Sequence, residues 1–166
     1  KDHNVYTIAR IVCFKDPILA AARPELALTK PDGKPMTDAN GLALVNPYRQ
    51  EVWEYLTELA KMAADLGFDE IQYDYVRFPV GSDANVADYG VDMDAYPKRQ
   101  AIQDFLAYAG DRLHEKGCVV TADVFGTIIG SETDVQTVGQ DYMALGQTVD
   151  AISPMVYPSH YANGGF

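Results

Sequence analysis

Four apolar runs, at about 6–14, 70–75, 118–125 and 151–156, alternate with helical stripes, and this alternation limits the fold more than any other feature. The runs are rich in Val, Ile, Tyr and Phe, which suit a pleated surface, and no tight hairpin turn joins any two of them. Between the first two, Val52, Leu56, Leu59, Ala63 and Leu66 fall on one helical face, with Asn46-Pro47 at its start and Gly67 at its end. Ile102, Phe105, Leu106, Ala109 and Leu113 form a second stripe, closed by Gly117. Val135, Val138, Tyr142 and Leu145 form a shorter third before Gly146. Strands separated by helices pair in parallel through right-handed crossovers. The order β-α-β-α-β-α-β therefore predicts an α/β fold. Its four strands form one parallel sheet in sequence order, with helices on the outer face, in a single domain over residues 1–166.

Composition supports a packed core and narrows the partners. Hydrophobic residues make up 48% of the chain, and 6 Phe, 11 Tyr and 1 Trp argue against disorder. The 24 acidic side chains outnumber the 13 basic ones, a net charge of −11. That disfavours a nucleic acid as partner, because binding its phosphates needs a basic footprint, and it leaves neutral or cationic ligands compatible. Cys13 and Cys118 lie in the apolar phrases IARIVCF and GCVVTADVF and read as free core thiols rather than a disulfide scaffold. No run is long and apolar enough to span a membrane as a helix. No signal peptide is visible at Lys1-Asp2-His3-Asn4, which a processed mature chain would share, so the compartment is not given.

The chemistry gathers where the strands end. Two long irregular segments, 15–46, rich in Pro, Gly and Asp, and 80–97, with Asp83, Asp88, Asp92 and Asp94, each follow a strand. They therefore lie at the carboxyl face of the sheet, where α/β folds build their sites. Side chains alternate along a strand, so Gln72 and Asp74 share a face, as do Thr121 and Asp123, and Ser153, Met155 and Tyr157. An acid on each of two neighbouring strands is what cleavage of an acetal needs. One carboxylate attacks or stabilises the cationic transition state, and the other protonates the leaving oxygen. Plainer readings stand beside this one, since a strand-end Asp often caps a helix or fixes a loop. Arg77 reads as a substrate clamp or as a salt-bridge partner of the nearby acids. Tyr157 and His160 read as a sugar-contacting wall or as a buried Tyr and a surface His. Arg10 points to the inner face, where an acid can pair with it, and reads as structural. Trp53 reads as helix packing, and His3 and His114 as structural or exposed.

The phrases FDEIQYDYVRFP (68–79), TADVFG (121–126) and ISPMVYPSHY (152–161), with RIVCFKDP (10–17) and GLALVNP (41–47), carry a resemblance. Together they resemble the bacterial putative glycosyl hydrolase domain, a family related to the α-amylase and chitinase barrels, over nearly the whole chain. The resemblance implies a TIM (β/α) barrel in which these strands are like the third to the sixth. A complete barrel needs eight strands and about 250 residues. The chain is therefore expected to be the middle portion of a longer catalytic domain, a partial barrel whose outer strands are open edges prone to pairing with a second copy. The resemblance also implies a carbohydrate substrate, a secreted or cell-envelope setting, Asp74 as nucleophile and Asp123 as general acid. Asp123 stands where the α-amylase acid is Glu, and Gln72 where those enzymes have Arg. Met155 and Tyr157 resemble the Met-x-Tyr that contacts substrate in chitinases.

Strands lie about 4.8 Å apart, so carboxylates on adjacent strand ends suit the ~5–5.5 Å gap of retaining glycosidases better than the ~6.5–9.5 Å of inverting ones. Retention is the expectation, with Asp123 kept protonated near neutrality with the help of apolar Val124 and Phe125. The candidate substrate contacts are Gln72, Arg77, Met155, Tyr157 and His160. HExxH and CxxC are absent and the acidic run at 83–94 lacks calcium-loop spacing, so no metal or cofactor is expected. The alternative is a non-catalytic carbohydrate-binding or degenerate barrel domain. A flavodoxin-like phosphate binder lacks support, because GxGxxG and GxxxxGK[ST] are both missing.

Overall fold

The computed structural model describes residues 3–157. Strands β1 (Ile8–Val12), β2 (Glu70–Asp74), β3 (Val119–Phe125) and β4 (Ala151–Met155) form one sheet in the order β1-β2-β3-β4, and every neighbouring pair is parallel. This is the predicted sheet, with shorter strands. Phe14 and Tyr75, just beyond the carboxyl ends of β1 and β2, adopt φ of 50° and 53°. A bulky side chain in that left-handed region turns the chain out of the ladder at a cost of about 1–3 kcal/mol each.

Among the described residues five α-helices accompany the strands: α1 (Pro17–Ala22), α2 (Gln50–Asp65), α3 (Lys98–His114), α4 (Glu132–Val138) and α5 (Tyr142–Leu145). The core lies between the outer face of the sheet and α2 and α3. Ile11, Ile71, Tyr73, Val120, Ala122 and Val124 meet Val52, Leu56 and Ala60 from α2, and Ile102, Phe105, Leu106, Ala109 and Leu113 from α3. Phe105 anchors it, with ring centroids 5.3 Å from Tyr73 and 5.4 Å from Phe14. Trp53 packs there as expected, 6.2 Å from Phe105, its indole N–H donating to Pro47 O at 2.7 Å. Cys13 and Cys118 are free and buried.

Three expectations need correction. The first long helix begins at Gln50, not at Asn46-Pro47. The Asn46 side chain instead accepts from Tyr48 N at 3.0 Å and donates to Tyr89 O at 2.9 Å, building a turn that holds the second loop. The third helical stripe is two short helices, divided at Gly139, whose φ of 75° ends α4. No other residue fits there easily, because a Cβ would lie 2.9 Å from Lys98 O and from the Phe78 ring. Finally, segment 15–46 is not irregular. Met36 N donates to Leu28 O at 2.7 Å and Leu44 N to Met36 O at 3.0 Å, over buried Leu26, Leu28, Met36, Leu44 and Val45. It is tied to the second loop by Asp88 N to Thr29 O, 3.0 Å, and by the Lys30–Asp83 ion pair, 2.6 Å.

The inner face of β1 is open: Ile8, Arg10 and Val12 are exposed. On β2 and β3 the same face carries Glu70, Gln72 and Asp74 beside Thr121 and Asp123. That polar row leads to the site.

Candidate functional site

Asp74 and Asp123 end this row on neighbouring strands. The last paired residues of β2 and β3 are Tyr73 and Ala122, so the two acids stand opposite one another one step further on, where the ladder stops. Both are buried. Their surroundings differ. Asp74 Oδ2 accepts from the Arg10 guanidinium, in an ion pair, and Oδ1 accepts from Tyr75 N at 2.7 Å. Two donors, one of them charged, serve an anionic carboxylate well. Among the described residues Asp123 has no cation of its own. Burial, followed by the negative charge of Asp74, pushes its pKa up from 3.8 to about 6, against a smaller opposing pull from Arg10. Gln72 Nε2 donates to Asp123 Oδ1 at 3.0 Å and lies 3.5 Å from Ser153 Oγ, which fixes the carboxyl between β2 and β4.

Arg10 was expected to pair with an acid, and it does. It is in register with Gln72, so its side chain reaches diagonally to Asp74. Gln140 was not anticipated. It is fully buried between α4 and α5, and its amide joins the splayed ends of β2 and β3. Oε1 accepts from Phe125 N at 3.0 Å, while Nε2 donates to Asp123 O and Val76 O, both at 3.2 Å. Only the glycine before it hints in the sequence that the helical stripe breaks to deliver this side chain.

Past the ends of β1 and β2 a cavity of about 610 Å³ opens between the two long loops; Tyr75, the residue after Asp74, lines it, but neither acid does. Phe14, Lys15, Met36, Asp38, Tyr75 and Arg77 are among its lining residues. Lys15 is paired with Asp38 at 2.7 Å and sits 4.5 Å from the centre of the Tyr75 ring. Arg77 makes no ion pair among the described residues. Its guanidinium lies 4.5 Å from the Phe125 ring centre and 5.5 Å from that of Tyr75, and Nη1 donates to Phe78 O at 3.0 Å.

The remaining candidates scatter. Met155 pairs in register with Phe125 and is half-buried, and Tyr157 is exposed beyond the end of β4. His160 lies outside the described residues. The loop acids serve the loop itself: Asp88 Oδ1 accepts from Gly90 N at 2.9 Å and Asp92 Oδ1 from Asp94 N at 3.0 Å. His3 is exposed, and His114 pairs with Asp150 at 2.8 Å on the surface.

Among solved structures, a hypothetical protein from Ruminiclostridium thermocellum is 41% identical, over 74% of this chain and 60% of its own, with a TM-score of 0.64. An alpha-amylase from Lactobacillus plantarum is 16% identical over 91% of this chain and 32% of its own, TM-score 0.63. The glycoside hydrolase domain of PelA from Pseudomonas aeruginosa is 12% identical over 91% and 51%, TM-score 0.58. The chain thus spans between about a third and three fifths of these structures. At such identities the last two speak for the fold alone: four parallel strands with their helices, a partial (β/α) barrel. No curated protein sequence matches the chain significantly. The family model described as "Putative glycosyl hydrolase domain" matches residues 1–166, and the chain belongs to that family.

Proposed function

We propose that the chain is the middle of a longer (β/α) barrel that hydrolyses a glycosidic bond in a poly- or oligosaccharide, with Asp74 as nucleophile and Asp123 as general acid/base. The observation that carries this reading is the contrast within one carboxyl pair. Asp74 accepts from a guanidinium and a backbone N–H, whereas Asp123 is buried beside it with a pKa of about 6. A carboxyl group raised toward neutrality beside one that accepts from a cation is an arrangement that supports an acid and a nucleophile. In the first step Asp74 attacks the anomeric carbon while Asp123 gives its proton to the departing glycosidic oxygen. In the second, Asp123 takes a proton from water, whose oxygen displaces Asp74 from the sugar. Retention of configuration follows. The guanidinium that α-amylase-like barrels place two residues before the nucleophile comes here from Arg10, one strand over.

One observation favours the alternative, a non-catalytic carbohydrate binder: both oxygens of Asp74 already accept hydrogen bonds. A polysaccharide-cleavage screen on the full-length protein separates the two. Hydrolysis that vanishes in Asp74→Asn and Asp123→Asn, with the first product retaining its anomeric configuration by NMR, is the expected result. Full activity in Asp74→Ala, or an inverted product, refutes the assignment.

A further inference from the structure

We infer that the cavity between the two long loops is a subsite for a sugar carrying a single acidic substituent, a carboxylate received by Arg77. The inference rests on the cavity belonging to a glycan-binding site, and it names what that site selects. The charged side chains lining the cavity are Lys15, Asp38, Arg77 and Asp83. Lys15 is neutralised by Asp38 at 2.7 Å, and Asp83 by Lys30 at 2.6 Å. Among the described residues, Arg77 is the one charged group of the lining that makes no ion pair, although it feels the charge of Asp74. Arg49, Lys98 and Arg112 also make no ion pair among the described residues, but none of them lines the cavity.

The guanidinium is also pre-arranged. Half-buried contact with the Phe125 and Tyr75 rings, at 4.5 and 5.5 Å, restrains its plane, and the bond from Nη1 to Phe78 O fixes its roll. Nε and Nη2 make no hydrogen bond among the described residues, and a planar fork of N–H donors matches a carboxylate. The backbone sustains strain to build this wall, for Tyr75 and Phe14, both lining residues, hold φ of 53° and 50°. Such strain gathers where a site needs it. The wider charge sets the limit on the ligand. A chain at −11 repels a polyanion, whereas one acidic group within a neutral glycan meets a local positive charge inside about one screening length.

The test is binding by the full-length protein, followed by calorimetry in the Asp74→Asn variant so that no turnover intervenes. The probes are oligosaccharides bearing one glucuronic, galacturonic or mannuronic acid, each paired with its methyl ester. The expected result is at least about tenfold tighter binding of the acid than of its ester in one pair, the usual worth of a charge-assisted bond. That preference should vanish in Arg77→Met and shrink in Arg77→Lys. Equal affinity for acid and ester in every pair overturns the inference, and needs no variant to fold. So does an Arg77→Lys enzyme that loses turnover equally on acidic and neutral substrates, since Arg77 would then serve Asp74 instead. Selective acid binding without cleavage of any glycan would defeat the hydrolase reading and leave this one standing. Cleavage of neutral glycans without acid preference would do the reverse.

Discussion

Replacing Gln140 by Met keeps the volume of a fully buried side chain and removes every hydrogen bond it makes. Phe125 N–H loses its acceptor at 3.0 Å, and the carbonyls of Asp123 and Val76 lose a donor at 3.2 Å. A buried group stranded in this way costs about 1–3 kcal/mol. The N–H has the fewest alternatives, and the two carbonyls cost less because each keeps a second lone pair. A loss of about 3–4 kcal/mol follows, a large share of the ~5–15 kcal/mol of a typical domain. Urea unfolding measures it as a fall in midpoint at unchanged slope. Gln140→Glu sharpens the test. One carboxyl oxygen can still accept from Phe125 N, but the other faces two carbonyls and is tolerated only when protonated. Burial and those carbonyls raise its folded pKa, so this variant should lose further stability as pH rises through that value. A Met variant within 1 kcal/mol of wild type, or a Glu variant indifferent to pH, would show that Gln140 does not hold the two strand ends together.

Asp123 gives a pH dependence of defined sign. Its folded pKa of about 6 lies above the ordinary 3.8, so the folded state holds the proton more tightly and stability falls as pH rises from about 4 to 6. Asp123→Asn should match wild type near pH 3 and exceed it by roughly 1–3 kcal/mol at pH 8; equal urea midpoints at pH 8 would contradict this. The Tyr73 hydroxyl is buried without a partner among the described residues, so Tyr73→Phe should keep the ring contact with Phe105 and gain about 1 kcal/mol, read as a raised Tm. The isolated 166-residue chain should self-associate. Val5, Tyr6, Ile8 and Val12 are exposed along one edge and Val156 and Tyr157 near the other, and light scattering that finds only monomer at high concentration would refute it.

The sheet was legible because its signals are local. Runs such as Ile71-Gln72-Tyr73-Asp74 alternate apolar and polar at the period of a strand, and the crossover rule then orders the strands. The acids were legible for the same reason, since alternation puts Asp74 and Asp123 on the inner face. What escaped depends on contacts between distant segments. Asn46 looks like a helix start, yet its amide serves a loop 43 residues away, because Tyr89 O needs a donor and α2 forms without a side-chain cap. Arg10 could be assigned to the inner face but not to Asp74, since the diagonal reach depends on the β1–β2 register. Gln140 is polar and fully buried, which no periodicity foretells, and of its three partners two lie in β3 and the third, Val76, just past β2.

These non-local contacts bear on how the site exists at all. The β2–β3 ladder ends at Tyr73 and Ala122, so the backbone around Asp74 and Asp123 cannot be held by strand pairing between them. Left alone, two buried like charges at diverging strand ends would separate or admit water. Arg10 reduces the repulsion from the β1 side, Gln72 ties the Asp123 carboxyl to β2, and Gln140 closes the backbone gap from behind. The strained turn at Tyr75 brings its own N–H onto Asp74 Oδ1 in the same stroke that aims the ring into the cavity. Each contact works on a different atom of the pair, and so each can be removed separately. If the carboxyl pair is catalytic, Gln140→Met and Gln72→Met should both lower activity, but only Gln72→Met, which touches the Asp123 carboxyl itself, should shift the alkaline limb of the pH–rate profile by direct loss of a donor.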